Sequence, residues 1–204
     1  MRVTAHSPYL YLFTRFGLMN SALVREDDGF TLVDTGIPGS APALLKAAAD
    51  LGAPIRRIVL THAHDDHVGS LDALHAALPE AEILISERDA RLLRLDGTDV
   101  VGHLRVVPAP GHTPGHVALF DPRDGTLICG DAFQTVTGVS VSSERRALFP
   151  LTAFATWHAP TALQSALALA DLHPARLVPG HGRVVEDPEA AMRSAVTRAG
   201  RGLA

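Results

Sequence analysis

Short apolar runs punctuated by turn residues open the chain. Residues 21–25 and 30–34 are runs of strand length, and Glu26-Asp27-Asp28-Gly29 between them has the composition of a turn. Asp34-Thr35-Gly36 then breaks the second run. Residues 40–51 are rich in Ala and Leu, open with Ser40, carry Pro42 in the first turn and are followed by Gly52, which predicts a helix. A β-branched run over 57–60 leads into His62. Beyond it the pattern predicts a helix over 68–78, a strand over 83–85, a helix over 87–95 and a strand over 104–107 stopped by Pro108. Residues 117–120 and 126–129, joined by Asp121-Pro122-Arg123-Asp124-Gly125, predict a β-hairpin. Regularity lapses over 132–160, then returns as a helix over 161–172, a strand over 176–178 and a helix over 188–198. Strands first, then strand–helix alternation in each half, suggest sheets with helices outside them. With no repeat, low-complexity tract or linker, residues 1–204 read as one domain.

Composition narrows the chemistry. A chain of 204 residues is long enough for one sizeable core. Its net charge of −4 offers no basic field for a phosphate backbone, which argues against a nucleic-acid partner. One cysteine, Cys129, excludes an internal disulfide and any multi-cysteine zinc module. The apolar stretch 9–13 is broken at once by Thr14 and Arg15, too short for a leader, and no uncharged apolar run reaches the length of a membrane span. A soluble, cytoplasmic protein is the expectation. Histidine is the outlier: eleven are present, and they cluster. Imidazole is the commonest protein metal ligand.

His62-Ala63-His64-Asp65-Asp66-His67 is the sharpest feature, four metal-competent side chains in His-x-His-x-Asp-His order. On an extended segment alternate residues face the same way, so His62 and His64 can reach one ion together. Asp66 and His67, at the turn into the next helix, then address a neighbouring position. The imidazole–carboxylate mixture suits zinc, and also iron or manganese. Three further segments, Gly111-His112-Thr113-Pro114-Gly115-His116, Gly130-Asp131 and Pro179-Gly180-His181-Gly182, each place a ligand just past a strand, in a Gly- or Pro-shaped loop.

Taken in order with Asp34-Thr35-Gly36, these segments resemble the metallo-β-lactamase superfamily over almost the whole chain. The resemblance implies an α/β fold, a four-layered αββα sandwich with two metal ions at one edge between the sheets. It also implies the ligands: His62, His64 and His112 on the first ion, Asp66, His67 and His181 on the second, and Asp131 bridging them. Asp34 and His116 would hydrogen-bond ligands from behind, with a plain loop-stabilising role as the alternative. Two zinc ions are the expected cofactors, iron or manganese the alternatives. The implied reaction is hydrolysis of a carboxylic ester, lactone or thioester of a small molecule by hydroxide shared between the metals, with Asp66 carrying the proton to the leaving group.

Departures from individual subfamilies matter. β-Lactamases of the superfamily lack the bridging aspartate supplied here by Asp131, so β-lactam hydrolysis is an alternative rather than the first reading. Hydroxyacylglutathione hydrolases carry a longer C-terminal helical region that grips glutathione. Acyl-homoserine lactonases share the Gly-His-Thr-Pro-Gly-His loop, yet no clear tyrosine after Asp131 matches their substrate-side residue. An oxidoreductase resembling the persulfide dioxygenases, using iron on the same scaffold, is the reading from another class. The irregular segment 133–160 holds Phe133, Leu148, Phe149, Leu151, Phe154 and Trp157 among polar residues. It either walls a small-molecule pocket or packs against the fold or a second subunit, which leaves a homodimer open. Neither nucleic acid nor membrane is an expected partner.

Overall fold

The computed structural model describes residues 2–89 and 100–203. The chain divides into two compact units, Met1–Asp96 and Gly97–Ala204. Each closes around an apolar core of its own.

In the first unit, β1 (Arg2–Ala5), β2 (Leu10–Arg15), β3 (Met19–Glu26) and β4 (Gly29–Val33) run as an antiparallel meander. After α1 (Ala41–Asp50), β5 (Ile55–Val59) pairs parallel to β4. Then come α2 (Asp65–Val68), α3 (Leu71–Ala77) and β6 (Glu82–Leu84), which completes a six-stranded sheet in the order β1 to β6. Phe30, Leu32 and Ile58 of the sheet, Leu44 of α1 and Leu74 of α3 are fully buried in one cluster. The helix expected over 68–78 is two short helices split at Gly69-Ser70. The cause is tertiary. A Cβ at Gly69 would lie 2.4 Å from Pro38 Cδ, and Ser70 Oγ donates to Ile37 O while accepting from Ser40 N. Of the helix expected over 87–95, residues 87–89 form a turn and the remainder falls outside the described residues.

In the second unit, β7 (Val100–Val101), β8 (Leu104–Pro108), β9 (Val117–Asp121) and β10 (Thr126–Gly130) are followed by a two-stranded ribbon, β11 (Phe133–Gln134) and β12 (Ser140–Val141). Next come α4 (Leu151–Ala155), α5 (Ala159–Ala170), β13 (Arg176–Pro179), β14 (Val185–Glu186) and α6 (Glu189–Arg201). The main sheet has the order β14-β13-β10-β9-β8-β7, with β13 parallel to β10. Leu127, Phe133, Leu169, Leu177 and Met192 are fully buried together. Phe133 therefore belongs to the core and not to a pocket wall, and the segment 132–160 holds regular structure that its pattern did not announce. Among the described residues, no helix is long and apolar enough to cross a membrane.

Candidate metal centre

In the first unit the donors gather where a parallel strand pair ends. Val33 of β4 lies opposite Val59 of β5, so Asp34 and Thr61 leave the sheet side by side. Asp34 takes a left-handed backbone, φ 60°, a conformation Asp tolerates better than most residues. Its buried carboxylate accepts from the Thr61 amide at 2.8 Å, from the Thr61 hydroxyl at 2.9 Å and from His67 Nδ1 at 2.8 Å. The neighbouring Thr35 amide and hydroxyl both donate to the His67 carbonyl, at 2.7 and 2.9 Å. The turn that follows β4 is thus stitched to the far end of the His-x-His-x-Asp-His segment.

Proton counting orients the ligands. A hydroxyl has one proton and can accept besides. That of Thr61 is spent on the Asp34 carboxylate, so the 3.0 Å contact with His62 Nδ1 has the ring nitrogen as donor. His62 Nε2 therefore carries the lone pair, and it faces His64 Nδ1 at 3.1 Å. His67, held through Nδ1, likewise turns Nε2 away from Asp34. A His62 ring nitrogen lies within 4.8 Å of one on His64 and one on His67, and the half-buried Asp66 brings a carboxylate oxygen within the same distance of His67.

The second unit brings its donors together through sheet register. β10 and β13 run parallel with Gly130 opposite Pro179, and the Gly180 amide donates to Gly130 O at 2.9 Å. Asp131 and His181 thus leave neighbouring strands at one edge, the C-terminal end where ligands of parallel sheets gather. The loop from β8 to β9 closes there too, with the Ala109 amide on His116 O at 2.9 Å. Asp131 Oδ2 lies 3.4 Å from His112 Nε2 and 3.2 Å from His181 Nε2, all three side chains buried. His116 Nε2 accepts from the Asp131 amide at 3.0 Å, so this ring fixes the backbone of the aspartate.

These spacings fit a metal. Two donors about 2.0–2.1 Å from one zinc ion at a tetrahedral angle are about 3.3–3.4 Å apart. The pairs seen within each unit, at 3.1, 3.2 and 3.4 Å, are close to such edges. The model of the metallo-beta-lactamase superfamily matches residues 14–98 and 90–181. The chain belongs to that superfamily.

Among its superfamily relatives, the protein YobT of Bacillus subtilis is 39% identical, with 99% of this chain and 100% of that protein covered. The hydroxyacylglutathione hydrolase of Legionella pneumophila is 34% identical, but over 49% of this chain and 42% of that enzyme. In structure, the metallo-beta-lactamase from Pontibacter korlensis matches with a TM-score of 0.77 at 20% identity, covering 98% of each chain. The α/β metallo-β-lactamase fold implied by the motif series is therefore the fold of this chain.

Within this superfamily member, Asp34 and His116, expected to serve either a functional or a loop-stabilising role, both touch segments of the predicted ligands. Asp34 bonds a predicted ligand directly and His116 holds the main chain of another. Cys129 is fully buried with its Sγ 3.6 Å from Gly130 O, and burial pushes its thiol far above the usual range. It packs as a small apolar residue. His158 is exposed and accepts from the Thr161 amide at the start of α5, a helix cap. His173 pairs with Glu189 at 3.0 Å on the surface, and His75 and His103 are exposed. Two contributors carried no motif at all: Thr61, whose Oγ1 lies 3.0 Å from His62 Nδ1, and Thr156, whose Oγ1 lies 3.1 Å from His112 Nδ1.

Proposed function

We propose that this protein is a metal-dependent hydrolase of small carboxylic esters, lactones or thioesters. The observation that carries the reading is the pair of convergent imidazole and carboxylate donor sets, with atoms spaced like the edges of a metal's coordination shell. In this proposal both sets serve one two-metal centre. As the superfamily resemblance implies, His62, His64 and His112 would hold one ion, Asp66, His67 and His181 the other, and Asp131 would serve both. The donors are imidazole and carboxylate without thiolate, which favours zinc, with iron or manganese next. When bound, such a pair supplies a nucleophile from water near neutral pH and electrostatic stabilisation for a developing oxyanion.

The chain's own residues do the rest. Asp34 and Thr61 hold the rings of His67 and His62 so that their Nε2 atoms stay available. Asp66, a half-buried carboxylate, would pass a proton to the leaving group. Phe149 lies with its ring centroid 5.4 Å from that of His181, and the Trp157 amide donates to His112 O at 2.9 Å. The surrounding segment exposes Leu148, Leu151, Phe154 and Trp157 at 62–88% of their surface. This favours a small-molecule substrate with an apolar acyl part, presented to that segment. Kinship with hydroxyacylglutathione hydrolases, one of which is matched over 42% of its length, supports thioesters among the candidates.

The test is a hydrolysis screen of esters, lactones and thioesters of graded acyl length, on protein with measured metal content. Turnover that tracks metal loading is expected. Asp66→Ala should lower it about 10²–10⁴-fold. An Asp66→Ala protein with both metals and full turnover removes the assignment. Oxygen uptake with a glutathione persulfide on iron-loaded protein, in place of hydrolysis, would transfer the protein to the oxidoreductases.

A further inference from the structure

Thr156 stands at the C-terminal cap of α4, where the last carbonyls of a helix lack partners. Its hydroxyl donates to Thr152 O at 2.7 Å, the back-bond typical of a threonine four residues on. A carbonyl has no proton to give, so the single Thr156 proton is committed there. The 3.1 Å contact between Thr156 Oγ1 and His112 Nδ1 must then be made with a proton from the ring. That leaves the lone pair of His112 on Nε2, the atom facing Asp131 Oδ2 at 3.4 Å. Main-chain bonds hold the arrangement. The Trp157 and His158 amides donate to His112 O and Gly111 O, both at 2.9 Å, so the residues after α4 lie along the His112 loop.

We infer that Thr156 is a positioning residue which, with its proton lodged on Thr152 O, fixes the tautomer and orientation of His112 and so sets how tightly that histidine holds a metal. The inference rests on the reading of His112 as a ligand. It assigns to α4 a second role beyond presenting apolar side chains: its C-terminal turn is the rear support of one ligand. Thr61 does the same for His62 in the first unit, its proton lodged on Asp34.

The experiment compares wild type with Thr156→Val, Thr156→Ala and Thr156→Ser, each checked for folding by thermal melting. Long-range proton–nitrogen NMR of the metal-free proteins, at about pH 8 where imidazole is neutral, reads the His112 tautomer. Competition with a chromophoric chelator reads zinc affinity. Wild type and Thr156→Ser are expected to carry the proton on Nδ1 and to differ by no more than about threefold in affinity, while Thr156→Val and Thr156→Ala lose the fixed tautomer and bind zinc about 10–100-fold more weakly. An Nδ1 proton retained in both hydroxyl-free variants overturns the inference, and so does unchanged zinc affinity. Should wild type bind no zinc while the tautomer still depends on the hydroxyl, the metal reading fails and the positioning of the ring stands.

Discussion

Both units of the chain present donors at the end of a parallel strand pair, β4 with β5 in the first and β10 with β13 in the second, but they secure them differently. The first unit delivers four donors within six residues and ties two of its histidines to a single carboxylate, Asp34, directly for His67 and through Thr61 for His62. The second draws its donors from three loops and supports two of them separately: Thr156 behind His112 and the His116 ring behind the Asp131 amide. A concentrated set with one hub should fail as a block. A dispersed set should come apart one ligand at a time.

The widest break is expected from Asp34→Ala. It strips the acceptor from the Thr61 amide, the Thr61 hydroxyl and His67 together, and each buried group left unsatisfied costs about 1–3 kcal/mol. Urea unfolding should show a loss of about 3 kcal/mol or more, with zinc affinity down about 10–100-fold. His116→Ala removes one acceptor, that of the Asp131 amide, and should cost about 1–3 kcal/mol. If the two variants lose equal stability, the contrast between block and piecewise support collapses.

A smaller, local effect sharpens the second half of the comparison. Gly111 has φ +132°, and a Cβ there would lie 2.2 Å from the Ala162 amide nitrogen at the start of α5. Gly111→Ala should destabilise by about 1–3 kcal/mol, the cost of overpacking, and move the His112 loop. Nuclear magnetic resonance shifts that are largest in the His112 loop and at the start of α5 are the expected signature. The smallest effect concerns Cys129. Burial holds its thiol protonated through the working pH range, so a thiolate-selective reagent at about pH 8 should modify native protein no faster than the protein opens. Rapid labelling of the native state would contradict the packed interior of the second unit.

Legibility in the sequence follows the same division. The concentrated donors could be read because alternation on an extended segment and a turn into a helix are local facts, and His62 and His67 do converge. The dispersed donors could be read one by one from their Gly- and Pro-shaped loops, but their grouping came from the resemblance, since nothing local states that Gly130 pairs with Pro179. β1 escaped because it is a four-residue edge strand, exposed along most of its length and without an apolar run. The division of α2 from α3 escaped because its cause, contact with Pro38, lies elsewhere in the chain. Thr156 escaped for both reasons: a lone threonine is no motif, and it sits 44 residues from the histidine it supports.

The account depends on seven side chains offering their lone pairs to cations. An anomalous-scattering map at the zinc edge, from crystals grown with the metal, addresses that directly. Two peaks per chain are predicted, bounded by His62 Nε2, His64 Nδ1, His112 Nε2, His67 Nε2, His181 Nε2 and the carboxylates of Asp66 and Asp131. Zinc-loaded crystals with no peak touching those atoms, or with His62 or His112 bound through Nδ1, would contradict it.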